Sequence, residues 1–457
     1  MKSLITWTVV VVLLSVLCSM CMALEYEITF VPSLYGKGDC ATDITNDGVI
    51  IGTTFDPSTS QGHAFVWDAV NGRRLLGALG PSVGAPRAIN NFGKIVGRVQ
   101  PLNTNGYACY WNDEGDLINL GTLPVTYPPS AWSDAYDVSD SGIIVGKSYA
   151  DYAHYDCAVI WDSAGAIRSL GLMGGVRSFA FGINNLDQVV GYWQESGGWT
   201  RAFIWDEQSG FRPLQPPESA TGCMATGISD NGQICGVSWA PGKTYVAYWD
   251  ASGAPRTVAE LPSGNNAYYS VEGINNSGQI IGHFYTLFTM PRAFIWDPVD
   301  GLTYLPAPNA SMAFGINDLG QVAGWIRDPE NNTERAVIWV PIPPPINITI
   351  DVLPDESPNV FLLQPNRLIT VAILGSASFD VSQVDALSVV FGPGRATEVH
   401  QKGHMEDANL DGLTDMVFHF RCGDTGIQPG DSTVFLRGQL TSGEQIEGSD
   451  VITASAK

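Results

Sequence analysis

The stretch GINDLGQVAGW at residues 315–325 has near copies earlier in the same chain. They read GINNSGQIIGH at 273–283, GISDNGQICGV at 227–237 and GINNLDQVVGY at 182–192. The Ile or Val before each turn, which we call the anchor, marks seven repeats: Ile44, Ile89, Val138, Ile183, Ile228, Ile274 and Ile316. Successive anchors are 42 to 49 positions apart. Self-similarity at so regular a period indicates a stacked or circular array of structural units.

Each repeat has the local chemistry of β-strands. Four residues after the anchor stands a Gly, which supplies the positive φ of a tight hairpin, or Asp187 in the fourth repeat, which tolerates it. Runs such as HAFVW at 63–67 are apolar on both strand faces, as in a sheet covered on both sides. A further strand is predicted at 116–123, DLINLGTL. Four strands per repeat predict the blades of a β-propeller.

The two ends of the array predict a closed ring. The seventh repeat stops at AVIWVP, residues 336–341, without a fourth strand, while YEITFVPSL at 26–34 precedes the first anchor. An N-terminal strand that completes the last blade would remove the open edges. The predicted fold is therefore all-β, with a seven-bladed β-propeller at 24–340 followed by a small β-sandwich domain.

The repeat also resembles a known family. The pattern A-x-x-I-N-x-x-G-x-I-V-G, followed by H-A-F-x-W and L-G-x-L, is similar to the extracellular HAF repeat of exported bacterial and archaeal proteins, over about residues 26–340. Only the first repeat has the literal His63-Ala64-Phe65, so the resemblance gives His63 no catalytic role. It implies an exported β-propeller protein.

The chain after the repeats has a different character. A Pro-rich linker is predicted at 341–346, within the run VPIPPP. Residues 347–457 contain short alternating runs with Gly, Pro and Asp turns, which predict a β-sandwich. This part resembles a C-terminal module of exported proteins from environmental bacteria.

Within that domain, the segment EDANLDGLTD at 406–415 predicts a calcium site. The oxygen ligands would come from Asp407, Asn409, Asp411, the carbonyl of Leu413, and Asp415, at loop positions 1, 3, 5, 7 and 9. Gly412 stands at position 6, where the chain turns sharply around an ion. Position 12 is Phe418 rather than the Glu of an EF-hand, so a hairpin loop with structural Ca²⁺ is expected.

The N-terminus predicts export. Residues 1–23 read as a signal peptide, with Lys2 before the apolar run 4–17 and small residues up to Ala23. An uncleaved anchor is the alternative, and no other stretch is apolar enough to span a bilayer. We expect a secreted, extracellular or periplasmic protein. Six cysteines follow residue 23 and permit disulfides, but neither they nor the histidines show a zinc-binding spacing.

Net charge limits the partners. The formal charge of −23 argues against nucleic acid or an acidic membrane surface. Function is expected on loops, where the repeats differ. The loops of repeats three to six are rich in aromatic residues, and those predicted to bind a ligand are Trp132, Tyr149, Tyr152, Tyr155, Trp193, Trp199, Trp239, Tyr268 and Tyr285. Such side chains stack on sugar rings or anchor proteins, or else cover the seams between blades.

These observations favour a non-catalytic binding or scaffold protein whose aromatic loop face recognises a glycan or a surface protein. The alternative is a polysaccharide hydrolase or lyase with acidic residues in the channel. Its candidates are Asp43 and Asp137, each one residue before an anchor, together with Arg87. Two carboxylates from separate blades would form an acid–base pair. No nucleophile elbow or phosphate loop is present in the sequence.

Overall fold

The computed structural model describes residues 25–36, 38–56, 58, 61–76, 83–101, 105–112, 114–124, 131–150, 155–262, 267–287, 289–354 and 356–455. The chain divides into two compact units, one ending at Pro341 and the other beginning at Ile342. The predicted signal peptide at 1–23 lies outside the described residues. Within the described residues, no helix is long and apolar enough to cross a membrane.

The first unit consists of β-strands. In chain order they are β1 (Glu25–Phe30), β2 (Cys40–Ile44), β3 (Ile50–Asp56), β4 (Gln61–Asp68), β5 (Gly72–Leu75), β6 (Val83–Ile89), β7 (Ile95–Gln100), β8 (Tyr107–Trp111), β9 (Leu117–Gly121), β10 (Ser133–Val138), β11 (Ile144–Ala150), β12 (Tyr155–Trp161), β13 (Ile167–Gly171), β14 (Arg177–Ile183), β15 (Val189–Gln194), β16 (Thr200–Asp206), β17 (Gly210–Pro213), β18 (Gly222–Ile228), β19 (Ile234–Ala240), β20 (Lys243–Trp249), β21 (Pro255–Leu261), β22 (Ala267–Ile274), β23 (Ile280–Thr286), β24 (Arg292–Asp297), β25 (Gly301–Tyr304), β26 (Ser311–Ile316), β27 (Val322–Arg327) and β28 (Glu334–Ile342).

These strands form antiparallel four-stranded sheets, one per repeat. The first six are β2–β5, β6–β9, β10–β13, β14–β17, β18–β21 and β22–β25. The seventh has the order β1-β28-β27-β26, so the N-terminal strand completes the sheet of the last repeat. The prediction of a closing N-terminal strand is thus confirmed, with the strand at Glu25–Phe30 rather than at 26–34.

The hydrophobic core lies between the sheets. Each apolar cluster described in this unit joins two consecutive sheets around the array. One further cluster joins the ends, because Ile50 and Phe65 of the first sheet pack with Ala323 and Ala336 of the seventh. Closure of the array therefore buries apolar surface as well as strand edges. The first unit is a β-propeller.

The motif glycines have a steric cause. In every sheet the first two strands shift register just before the anchor, as between Ala41 and Asp43 opposite β3. At this bulge the first strand approaches the second so closely that a Cβ on Gly52 would overlap the carbonyl oxygen of Cys40. The same overlap occurs at Gly97, Gly146, Gly191, Gly236, Gly282 and Gly324. The second Gly of the motif is thus required for strand pairing.

The hairpin position also follows the sequence. Asp187 has φ 56° where the other six repeats place a Gly with positive φ, as predicted. The fully buried indole of Trp161 donates its Nε1–H to the carbonyl of Leu120 in the preceding sheet, over 2.9 Å. The six cysteines of the described residues are free, and Cys109 is fully buried.

The second unit is also built of strands. They are β29 (Ile346–Asn347), β30 (Ile350–Val352), β31 (Val360–Leu362), β32 (Leu368–Ile373), β33 (Val384–Phe391), β34 (Ala396–Thr397), β35 (His404–Glu406), β36 (Asp415–Arg421), β37 (Thr433–Leu440), β38 (Gln445–Val451) and β39 (Thr453–Ser455), with 3-10 helices at Val381–Gln383 and Cys422–Asp424. Because β28 runs to Ile342 and β29 begins at Ile346, the segment between strands is shorter than the predicted linker.

Two sheets of the second unit share one core. A five-stranded sheet has the order β29-β38-β37-β33-β34, a four-stranded sheet has the order β30-β32-β36-β35, and β31 pairs with β39. Phe391 and Leu436 of the larger sheet pack with Val371, Phe418 and Phe420 of the smaller one. The unit is therefore held together by its own apolar core.

Candidate functional site

The anchors of all repeats converge on one end of the propeller axis, where their turns form a ring. The residues two positions after the anchors are Asn46, Asn91, Asp140, Asn185, Asp230, Asn276 and Asp318. In each sheet, the backbone N–H of this residue donates to the side-chain oxygen of its counterpart in the next sheet, over 2.8–3.1 Å. We call these seven residues the turn ring. It links every sheet to both neighbours.

Each Asp carboxylate of the turn ring receives hydrogen bonds from the side chains on both sides of it. Each Asp lies between two Asn residues, whose Nδ2 groups donate to its second carboxylate oxygen, as Asn185 does to Asp140 and to Asp230. No two carboxylates are adjacent, so like-charge repulsion is avoided. The turn ring therefore has a structural role, which explains the second polar residue of the motif.

Asp43 and Asp137 stand farther along the inner strands. Asp43 Oδ2 accepts the N–H of Ile89 and Asp137 Oδ2 accepts that of Ile183, both over 2.9 Å. Their enclosure removes water from around the carboxylates and raises the pKa of each to about 7, although these N–H groups act in the opposite direction. Both carboxylates thus bridge neighbouring sheets.

A second position of the inner strands lines the channel beside Asp43 and Asp137. The bulged residue, two before the anchor, lines the channel as Arg87, Tyr136, Phe181, Thr226, Glu272 and Phe314. Asp43, Asp137 and Arg87, which the sequence indicated for the channel, are among its lining residues. The other bulged side chains were not predicted, because a bulge exchanges the faces of a strand and is not visible in a period of two.

At the end of the channel opposite the turn ring, charged and aromatic residues of the second, third and fourth sheets lie together. We call this group the mouth cluster, and it consists of Arg87, Trp132, Asp134, Tyr136, Lys147, Asp156, Arg177, Phe179, Phe181 and Tyr192. The register places it there, because Ser133 pairs with Ser148 at the end of β10 and β11 far from their turn.

The polar members of the mouth cluster form ion pairs. Arg87 donates through Nε and Nη2 to the two carboxylate oxygens of Asp134, over 3.1 and 3.0 Å. Lys147 Nζ lies 3.4 Å from Asp156 Oδ2. Burial raises the pKa of Asp134 and of Asp156, and the neighbouring cations offset this only in part. The Oδ1 of Asp156 is buried without a hydrogen-bond partner, so this atom has unused acceptor capacity.

The aromatic members surround these charges. Lys147 Nζ lies 4.5 Å from the ring centre of Trp132 and 5.0 Å from that of Phe179. Tyr192 stacks on Phe179 with ring centres 4.7 Å apart and on Phe181 at 5.7 Å. The mouth cluster thus combines apolar ring faces with carboxylates and cations, the groups that small-molecule sites also bring together.

Two of the predicted ligand-binding aromatics, Trp199 and Tyr268, are exposed to solvent, and three others are partly exposed. Trp199 is 50% exposed in the β15–β16 hairpin, and Tyr268 is 51% exposed. Tyr268 stacks on its cross-strand partner Tyr285 with ring centres 4.8 Å apart. Trp132 belongs to the mouth cluster, and Tyr149 lies at the same end of β11, partly exposed. The structure thus places these side chains in separate groups along the loop face.

The structure places two of the other aromatic residues that were predicted to bind a ligand differently from that prediction. Trp193 is 9% exposed and packs in the core between the third and fourth sheets, edge-on to Phe211, so it is no part of a loop surface. Its strand is longer than the motif suggested, and the alternation of the strand turns it inward. Trp239 is half-buried against the core of the fifth and sixth sheets. Tyr152 and the side chain of Tyr155 lie outside the described residues.

No protein-family model matches the chain, and no curated protein matches its sequence. Similar solved structures include the β-propeller domain of the Trilobed protease from Pyrococcus furiosus, at 11% identity and a TM-score of 0.43, covering 67% of this chain and 94% of that one. TolB from Acinetobacter baumannii is 13% identical with a TM-score of 0.39, covering 62% of this chain. A puromycin hydrolase mutant complexed with PGG is 12% identical with a TM-score of 0.47, covering 76%. The chain spans 66% and 61% of these last two, and the similarity concerns the fold alone.

Proposed function

We propose that this is an exported, non-catalytic binding protein whose mouth cluster recognises a glycan. The observation that carries the proposal is the buried Oδ1 of Asp156, which lacks a hydrogen-bond partner and belongs to a cluster rich in aromatic rings. A buried acceptor without a donor costs about 1–3 kcal/mol. A sugar hydroxyl would supply that donor, while the C–H face of the ring would pack on Trp132 or Tyr192.

The charges of the mouth cluster suit the same ligand class. Asp134 and Asp156 accept hydrogen bonds from hydroxyls, and Arg87 and Lys147 donate to ring or hydroxyl oxygens. Cation and carboxylate are paired, so the mouth cluster presents no large excess of either charge. A neutral or mildly acidic oligosaccharide fits these groups better than a polyanion. A glycan array probed with the intact protein would identify the ligand, and the absence of any hit would remove the proposal.

A surface protein is the second candidate partner, and the exposed aromatics favour it. Trp199 and the stacked pair Tyr268 and Tyr285 lie outside the mouth cluster and resemble the anchors of protein interfaces. Alanine at these positions would weaken a protein complex and leave glycan binding intact.

The rival activity is a polysaccharide hydrolase or lyase that uses Asp43 and Asp137. The pKa of about 7 for both groups is what a general acid near neutral pH requires. Their oxygens, however, accept backbone N–H groups of neighbouring sheets, and Arg87 pairs with Asp134 instead. Turnover assays on polysaccharides test this alternative: turnover that is abolished by Asp43→Asn and by Asp137→Asn would establish it.

The architecture belongs to the same proposal. We infer a seven-bladed β-propeller of the HAF-repeat type, followed by a β-sandwich, in a protein secreted to the extracellular space or the periplasm. The seven repeats, the closing strand β1 and the core between the first and seventh sheets support the blade number. The shared core of the two C-terminal sheets supports the sandwich.

A structural calcium ion in the loop 407–415 is also proposed. Asp407 accepts the N–H groups of Asp411 and Gly412 over 3.1 and 3.0 Å, which folds the loop as a cation site requires. Asp407, Asn409 and Asp411 keep further lone pairs for an ion. Asp415 is fully buried and accepts the N–H groups of Gly375 and Ala408, and these hydrogen bonds fix the position of the loop. The carbonyl of Leu413 would complete the predicted set.

A further inference from the structure

Three histidines and one glutamate meet in the second unit. One potential ligand atom from each of Glu398, His400, His404 and His419 lies within 4.8 Å of the corresponding atom of every other. The three imidazole ring centres are 5.6–5.8 Å apart, and their planes are inclined by 79–88°. The whole chain has only six histidines, so half of them occupy this one place. We call these four residues the histidine cluster.

Neighbouring strands hold the histidine cluster in position. His404 begins β35 and His419 lies in β36, which are antiparallel and adjacent. Glu398 follows β34 and forms an isolated bridge with Phe420, while the N–H of Val399 donates to the carbonyl of His419 over 3.0 Å. Strand pairing therefore fixes Glu398, His404 and His419, while His400 lies in the turn that follows Glu398.

Two of the potential ligand atoms have no hydrogen-bond partner in the described part of the protein. His404 Nε2 and His419 Nδ1 are buried and make no hydrogen bond. Buried polar atoms are almost always paired in native proteins, so two such nitrogens in one cluster point to a bound group. The rings also pack edge to face at a distance that leaves room between their nitrogen atoms.

Glu398 supplies the oxygen donor. Its side chain is only 1% exposed, and one carboxylate oxygen accepts the backbone N–H groups of His400 and Lys402. The other oxygen lies 3.0 Å from His400 Nδ1. The backbone thus fixes the orientation of the carboxylate, as the outer shell of a metal site does for a ligand.

We propose that the histidine cluster binds a zinc ion through three imidazole nitrogens and one carboxylate oxygen. Four N and O donors suit tetrahedral Zn²⁺, whereas Ca²⁺ takes six to eight oxygens. All four positions come from the protein, so the site is closed and structural rather than catalytic. His400 has a side chain that is 49% exposed and provides the entry path.

The proposed zinc site is distinct from the calcium loop, although both lie on one hairpin. The loop 407–414 connects β35 to β36, and the histidine cluster lies at the other end of these strands, where His404 pairs with Val417. Zinc would join the segment after β34, a strand of the five-stranded sheet, to β35 and β36 of the four-stranded sheet. Because the ion binds the folded state, it stabilises the second unit by mass action.

The test uses the full-length mature chain, freed of metal with a chelator and titrated with ZnCl₂. We expect about one zinc per chain, and a rise in the melting temperature of the second unit. His404→Ala and His419→Ala should each weaken binding at least roughly 100-fold. The matched control His63→Ala, in the first unit, should bind as the unchanged protein does, and Asp411→Ala should retain zinc. Absence of binding, or binding that persists in both cluster variants, would overturn the proposal.

A second measurement guards against variants that do not fold. The X-ray absorption spectrum of the zinc-loaded unchanged protein should show four N or O ligands at about 2.0–2.2 Å, with scattering from three imidazoles. A spectrum with one imidazole or none, or with six oxygen ligands, would contradict the assignment.

Discussion

The backbone N–H of Asp318 donates to Oδ1 of Asn46 over 2.9 Å, although 272 positions separate the two residues. In return, Asn46 Nδ2 donates to Asp318 Oδ2 over 3.0 Å. This pair joins the last repeat to the first and completes the turn ring. The first of these hydrogen bonds, from backbone N–H to side-chain oxygen, recurs between each of the six other pairs of neighbouring sheets. The first and last sheets are therefore joined by the same type of bond as all the others.

Asn46→Ala should destabilise the propeller by about 1–3 kcal/mol, because it removes an acceptor and a donor at the closing contact. Denaturant unfolding measures the loss. The control is Asp47→Ala, an exposed residue of the same turn, which should change stability by less than about 0.5 kcal/mol. Equal effects of the two changes would show that the turn ring adds nothing to closure.

Gly191→Ala should cost about 3 kcal/mol or more, or prevent folding, because the new methyl would overlap the carbonyl of Phe179. Gly273→Ala is the matched change on an inner strand, where a Cβ would meet only ordinary contact with Ile316 at 3.8 Å. Thermal unfolding of both variants compares them. A tolerated Gly191→Ala would refute the steric explanation of the motif.

The carboxylates of Asp43 and Asp137 predict a pH dependence of stability. Their folded pKa of about 7 lies above the value of about 3.9 in unfolded chains, so between these values the folded state binds more protons. This contribution is complete below about pH 4 and is lost as the pH rises through 7. We expect the unchanged protein to lose more stability between pH 5 and pH 8 than the double variant Asp43→Asn, Asp137→Asn. Parallel profiles would contradict the raised pKa values.

Much of the propeller was predictable because its signals are local. The sequence shows the series of hairpin glycines and the Asp187 that replaces one of them. It also shows the extra strand before Ile44. The rest of the channel lining was not predictable, since a one-residue bulge before each anchor moves residues such as Tyr136 and Phe181 to the inner face. Such a bulge cannot be recognised from the alternation of apolar and polar residues along a strand.

The site predictions depended on register, which the sequence does not show. Trp193 looked like a loop residue, but β15 extends to Gln194 and turns its side chain into the core. His400 and His404 were visible four positions apart without forming a recognised zinc motif. Only the pairing of β35 with β36 brings His419 beside them. The contacts of the turn-ring Asn residues across sheets likewise depend on how neighbouring sheets are placed, which the repeat pattern does not show.

Calcium should raise the melting temperature of the second unit, and a chelator with little zinc affinity should reverse the rise. Binding at roughly 10⁻⁴–10⁻³ M is expected for an extracellular module, so calcium at about 1 mM adds roughly 0.4–1.4 kcal/mol to the stability of the second unit. Asp411→Ala should abolish the shift, whereas Asp424→Ala, at an exposed site in the same unit, should retain it. A shift that survives Asp411→Ala would place calcium elsewhere.

The central claim is that the mouth cluster binds a glycan, and titration calorimetry with the best array ligand tests it most directly. Trp132→Ala and Asp156→Asn should each weaken binding at least about tenfold, because they remove a stacking face and the unpaired acceptor. Phe92→Ala is the matched control, an aromatic that is 80% exposed beside the turn ring at the opposite end of the channel, and it should leave the affinity unchanged. If Phe92→Ala weakens binding while Trp132→Ala and Asp156→Asn do not, the ligand site lies elsewhere and the account is contradicted.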